Sequence, residues 1–169
     1  MIQKTTADKI TVGIIDEELF AYAIFINNGF DVEDEYNKLL DTLFLENPEN
    51  EDYLELETFG GNMRKSVPYI FTHSDTKSFD IEKFGKVFVD LFHRYYESII
   101  NKFCNCRNKS EQFALEEFSE LSYDIWNFLP EHIQMKEPFD ILLYADEPLS
   151  WDDIEQSKES YQRIFDYYK

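Results

Sequence analysis

The sequence predicts an α+β fold, a small antiparallel or mixed sheet packed with about four helices, and three observations carry that expectation. Some apolar runs alternate with period two, others step by three and four, and glycine and proline are scarce, at five of each in 169 residues. The scarcity disfavours a sandwich or barrel of many short strands and favours longer elements. The length suits a single domain over residues 1–169, and 43% hydrophobic with 17% aromatic residues is enough for a real core.

From the N-terminus, Ile10, Val12 and Ile14 alternate, and Phe20, Tyr22, Ile24 and Ile26 alternate again beyond Asp16-Glu17-Glu18, which predicts a hairpin. A helix over 16–28 closed by Gly29 is the competing reading, since Asn-Asn-Gly serves as a C-cap as well as a turn. Residues 31–45 read as helical, with Asp31 as cap, acids in the first turn, and Val32, Tyr36, Leu39, Leu40 and Leu43 on one side before Pro48. Residues 53–59 alternate in part and predict a strand ended by Gly60-Gly61. Residues 67–72 predict a second one near a sheet edge, because Pro68 cannot donate to a ladder.

The clearest pattern lies over 80–103. Ile81, Phe84, Phe88, Leu91, Tyr95, Ile99 and Phe103 step by three or four, while Glu82, Lys86, Asp90, Arg94, Glu97 and Asn101 fall opposite, so a long amphipathic helix near 80–104 is expected. Gly85 within it costs up to about 1 kcal/mol relative to alanine, which points to another backbone packed close by. Asn108-x-x-Glu111 resembles a capping box opening a second helix that runs to about Phe128, with Ala114, Phe118, Leu121, Ile125 and Phe128 on its apolar face. Residues 139–145, between Pro138 and Pro148, have the length and continuous apolarity of a buried strand. Ser150-x-x-Asp153 opens a final helix carrying Ile154, Tyr161, Ile164, Phe165 and Tyr168, with Trp151 at its first turn.

Sixteen Lys and Arg against 35 Asp and Glu give a formal charge of −19. That balance argues against direct binding of nucleic acid or of anionic membranes, and the densest cationic group, Lys102, Arg107 and Lys109, forms no phosphate-neutralising stripe. The first residues lack the signature of a signal peptide, and the longest apolar segment, 19–26, is far short of a membrane span. Cys104 and Cys106 are one residue apart, too close for an unstrained disulfide, so a reducing cytoplasm is expected.

Those cysteines with His93 are the one arrangement that suggests metal. The spacing is wrong for a structural zinc site, and His73 and His132 do not complete a ligand set, so neither metal nor cofactor is expected. Neither a nucleophile elbow, nor a glycine-rich phosphate loop, nor a calcium loop is present, and with 35 acids the carboxylate pairs have no diagnostic spacing.

Two acidic groupings stand out. Glu46, Glu49, Glu51, Asp52, Glu55 and Glu57 fall within 46–57 without a Lys or Arg, and Tyr53 sits among them as a residue suited to interface contacts. Glu116, Glu120 and Asp124 form a like-charged stripe at i,i+4 spacing, which costs a helix about 0.2–0.5 kcal/mol per pair. The expected function is therefore an acidic binding protein that neutralises a basic partner protein, for example a toxin or nuclease, by occluding its cationic surface. In size and charge alone the chain resembles small bacterial immunity proteins and antitoxins. A small hydrolase or metal-assisted enzyme using Asp/Glu with His93 or His73 is the first alternative. An adaptor or structural subunit with an exposed apolar patch on the Tyr-rich C-terminal helix is the second.

Overall fold

The computed structural model describes residues 14–104 and 110–169. Among these, 76% are helical and none is in a strand, so the fold is all-α and the expected α+β architecture is overturned. The alternation at Ile10 and Val12, the box residue Asn108 and the Cys106 thiol lie outside the described residues. The contacts gather into two compact units, Met1–Phe84 and Gly85–Lys169.

Among its described residues the first unit holds four helices, α1 (Glu17–Asn27), α2 (Glu33–Glu46), α3 (Glu51–Thr58) and α4 (Met63–His73), and a 3-10 turn at Thr76–Ser78. The second strand of the expected hairpin, over 20–26, is replaced by α1 for reasons that are local at both ends. Asp16 accepts a hydrogen bond from the Glu18 amide at 2.8 Å, and Glu17 and Glu18 favour the positive end of the helix dipole. At the other end Gly29, at φ +88°, makes a left-handed cap in which the Phe30 amide donates to the Phe25 carbonyl and the Gly29 amide to the Ile26 carbonyl, while the two phenyl rings meet 6.5 Å apart. Between the caps Leu19, Phe20, Ala21, Ala23, Ile24 and Phe25 are all buried. A helix apolar on nearly all sides has no dominant period, so its alternate residues imitate a strand.

The other missing strands fail for similar reasons. Residues 53–59 belong to α3, capped by Asn50, whose side chain accepts from the amides of Asp52 and Tyr53 at 3.0 and 3.2 Å. Residues 67–72 belong to α4, capped by Asn62, with buried Val67 and Ile70 three apart and Pro68 on the exposed side. Between α3 and α4 the chain turns through Gly60 and Gly61, both in the left-handed region that favours glycine. The cap expected at Asp31 falls one residue later, at Val32. Lys83, in the opening turn of α5 (Ile81–Cys104), closes the unit by pairing with Asp16 at 2.6 Å and Glu17 at 3.5 Å.

From Gly85 onward α5 belongs to the second unit, together with α6 (Glu111–Asn127), the single turn α7 (Glu131–Gln134), two 3-10 segments (Phe139–Leu143 and Glu147–Trp151) and α8 (Ile154–Asp166). The predicted stripe of α5 is the buried one, with Phe88, Leu91, Tyr95 and Ile99 all inside. Phe92 adds to it, packing on Phe118 of α6 at 5.1 Å and on Phe165 of α8 at 5.8 Å, and Phe118 meets Tyr161 at 5.1 Å. Such aromatic pairs dominate core energetics. Ser110 caps α6 by accepting from the Phe113 amide, and Asp153 caps α8 by accepting from the Gln156 amide. Trp151 ends a 3-10 segment instead of opening α8 and is 59% exposed. The expected strand over 139–145 is a 3-10 segment too: Phe139, Ile141, Leu142 and Ala145 are buried, and the Ala145 carbonyl accepts from Ser157 of α8.

The crowding at Gly85 comes from a side chain and not from the backbone expected there. A Cβ at this position would run into the ring of Tyr168.

Candidate functional site

The structure treats the two acidic groupings differently. In 46–57, Asn50 pins the start of α3 by donating to the Ile14 carbonyl at 2.7 Å, and the Tyr53 hydroxyl accepts from the Asp16 amide at 3.1 Å. Tyr53 is 4% exposed, so it is a core residue, and burial raises its phenol to about 12. Asp52 is also buried and accepts a 2.6 Å hydrogen bond from the Tyr69 hydroxyl. Burial, with the Asp52 acceptor beside it, pushes the Tyr69 phenol well above its ordinary value. Glu57 is half-buried, whereas Glu46, Glu49, Glu51 and Glu55 remain exposed.

In the second unit Glu116, Glu120 and Asp124 are all exposed on α6. The apolar face of that helix, Ala114, Phe118 and Ile125, is committed to the core, which leaves its acidic side facing water. Glu116 and Glu120 rim an open groove of about 600 Å³ between α6 and the two 3-10 segments. Asp146 supplies a third carboxylate from the 3-10 side, Leu142, Leu143 and Leu149 give an apolar lining, and Tyr123, 52% exposed, stands on the α6 side. Asp124 does not line the groove. Its carboxylate lies near the Tyr95 phenol, which burial raises and Asp124 raises further.

Gln112 fixes one end of the groove, its amide donating to Glu116 and to Asp152, each at 3.2 Å. Trp126 and Gln134 exchange side-chain to carbonyl hydrogen bonds at 3.1 and 3.2 Å and hold α7 against the end of α6. Asp146, the leucines and Tyr123 were not legible as a site. Only the four-residue spacing of Glu116 and Glu120 signalled it, because the other side of the groove comes from a segment that reads as a buried strand.

Ser119 donates to the Leu115 carbonyl and Ser150 to the Glu147 carbonyl, so neither hydroxyl proton faces a base, and no histidine lines the groove. His73 stacks on Tyr69 at 3.9 Å, and His93 stacks on Phe165 at 4.2 Å with Nε2 3.3 Å from Glu97. His93 borders a smaller cleft of about 230 Å³ beside Lys86, Asp90 and Lys169. Among the described residues no three His, Cys, Asp or Glu side chains are placed to hold a metal ion. Among them, too, no helix is long and apolar enough to cross a membrane. Comparison with family models, with curated proteins and with solved structures found no match.

Proposed function

We propose that this chain is a binding protein that neutralises a basic partner protein, of the immunity-protein, antitoxin or nuclease-inhibitor type, by occluding the partner's cationic surface. One observation carries the reading: Glu116, Glu120 and Asp146 rim a leucine-lined groove in which no lysine or arginine stands among the lining residues. A lysine- or arginine-bearing segment with an apolar anchor complements that surface in both charge and polarity. The net charge of −19 supports it further, since a field of one sign steers a cationic partner and disfavours anionic competitors such as nucleic acid. A toxin or nuclease whose own function needs a basic surface is the natural partner, and the cytoplasm the natural compartment.

Capture from a lysate of the chain's own source at low salt, followed by rate measurements on the captured protein, tests this reading. The partner should be basic. Neutralising Glu116, Glu120 and Asp146 together to Gln, Gln and Asn should slow association about tenfold or more, as should raising the salt. The same three-charge change at Glu49, Glu51 and Glu55 should leave most of the affinity in place. An affinity indifferent to the groove carboxylates would sink the proposal.

A further inference from the structure

Three helices of the first unit bring polar atoms to one interior point without giving them partners. α2 contributes the Tyr36 hydroxyl, α4 the Ser66 hydroxyl, and α3 the Oε1 of Glu57; each atom is shut off from solvent and forms no hydrogen bond. Tyr36 and Ser66 are each only 1% exposed. The Tyr36 phenol lies beside both the Ser66 hydroxyl and the Glu57 carboxyl, and Asp41, exposed on α2, approaches Glu57 as well. Interior polar atoms are nearly always satisfied, so three orphans from three helices mark a place built for something other than stability.

The surroundings of Glu57 decide what that is. From α2 it faces the Asp41 carboxylate and the Tyr36 phenol, with Ser66 of α4 beyond the phenol. The helix α1, packed on α2 and α4, buries apolar side chains. Among the described residues no lysine or arginine acts on Glu57. Two carboxyls side by side without a cation favour holding one proton between them. Burial first, then the Asp41 carboxyl beside it, push Glu57 up to about 7.

We propose that Glu57, with Asp41, Tyr36 and Ser66, is a proton-operated latch that holds α3 against α2 and α4. With a proton on the carboxyl pair, Glu57 donates to Asp41 and the latch is closed. Loss of that proton sets two carboxylates against each other beside unpartnered hydroxyls, and α3 loosens. The sign follows from linkage: Glu57 is raised in the folded chain from an ordinary 4.5 to about 7, so its stabilising contribution is complete below about 4.5 and is lost as pH rises through about 7. The latch acts across the physiological range, and it does not depend on the partner proposed above.

Thermal melts and amide hydrogen exchange of the full chain between pH 5 and pH 8, at constant ionic strength, test it. Tm of the unaltered chain should fall by about 4 °C or more over that interval, and exchange protection within Glu51–Thr58 should drop about tenfold. Glu57→Gln should flatten both changes and leave the chain more stable than the unaltered one at pH 8. Glu55→Gln removes the same charge from the exposed side of α3 and should behave like the unaltered chain. Asp41→Asn, at an exposed position, keeps the test open if Glu57→Gln fails to fold, and should move the transition to lower pH by about half a unit or more. Identical pH profiles for Glu57→Gln and Glu55→Gln would overturn the latch. So would stabilisation of the unaltered chain at pH 8 by calcium or magnesium that Glu57→Gln abolishes, since a cation would then be the occupant of the site.

Discussion

Residues 46–57 and 116–124 carry the same kind of charge, yet the fold uses them in opposite ways. In the first stretch Asn50 captures two backbone amides and the Ile14 carbonyl, Asp52 takes the Tyr69 hydroxyl, and Tyr53 takes the Asp16 amide. Most of this acidic stretch is a short helix capped by Asn50 and packed into the first unit, where a strand was expected over 53–59. In the second stretch Glu116 and Glu120 find no such interior partners, and the core packing of Phe118 and Ile125 holds them outward along the groove. The difference teaches that a carboxylate's destination is set by the donors waiting for it. Local density of acids does not decide it.

Substitutions can break this contrast, and the largest effect is expected in the buried stretch. Asp52→Ala removes a charged acceptor from the Tyr69 hydroxyl and should cost about 2–3 kcal/mol in urea denaturation, whereas Glu120→Ala should stay within about 0.5 kcal/mol. Near-equal costs would erase the distinction. Asn50→Ala comes next at about 1–2 kcal/mol, the value of a side-chain N-cap, and protection of the first amides of α3 should fall with it.

Gly85 sharpens the comparison from the packing side of the second unit. Alanine gains up to about 1 kcal/mol of helix propensity but must displace the Tyr168 ring, so Gly85→Ala should destabilise the chain by about 1 kcal/mol. In a Tyr168→Ala background the same change should become stabilising, and a double-mutant cycle without that reversal of sign would refute the contact. The smallest effect belongs to the exposed stripe. Replacing Glu116 and Glu120 by Gln relieves an i,i+4 repulsion and should raise stability by about 0.2–0.5 kcal/mol while slowing association with a basic partner. A loss of stability instead would mean that Gln112 bonding to Glu116 outweighs the repulsion.

Legibility followed amphipathicity. The long helix α5 was readable from its stripe because one face is buried and the other wet, and α6 and α8 were readable for the same reason. For α1 the strand reading fails and the competing helix over 16–28 closed by Gly29 holds; burial on nearly every side removes the period that separates the two. Likewise the strand expected over 139–145 was a continuous apolar run that fits a 3-10 segment as well. Of the candidate site, Glu116 and Glu120 were visible by spacing, while Asp146 and the leucines opposite were not, since they approach α6 only through the fold.

The sequence by itself determined the charge and the amphipathic helices, because these depend on composition and on residues three or four apart. Tertiary structure alone decided that the chain holds no sheet among its described residues, and that Asp52 and Tyr53 turn inward. It also decided that Glu57 meets Asp41, and that Asp146 faces Glu116 and Glu120 across an apolar lining. The physical reason is the same in each case: these outcomes depend on which donors, carboxylates and apolar surfaces are brought together from distant parts of the chain, and no local period encodes that meeting.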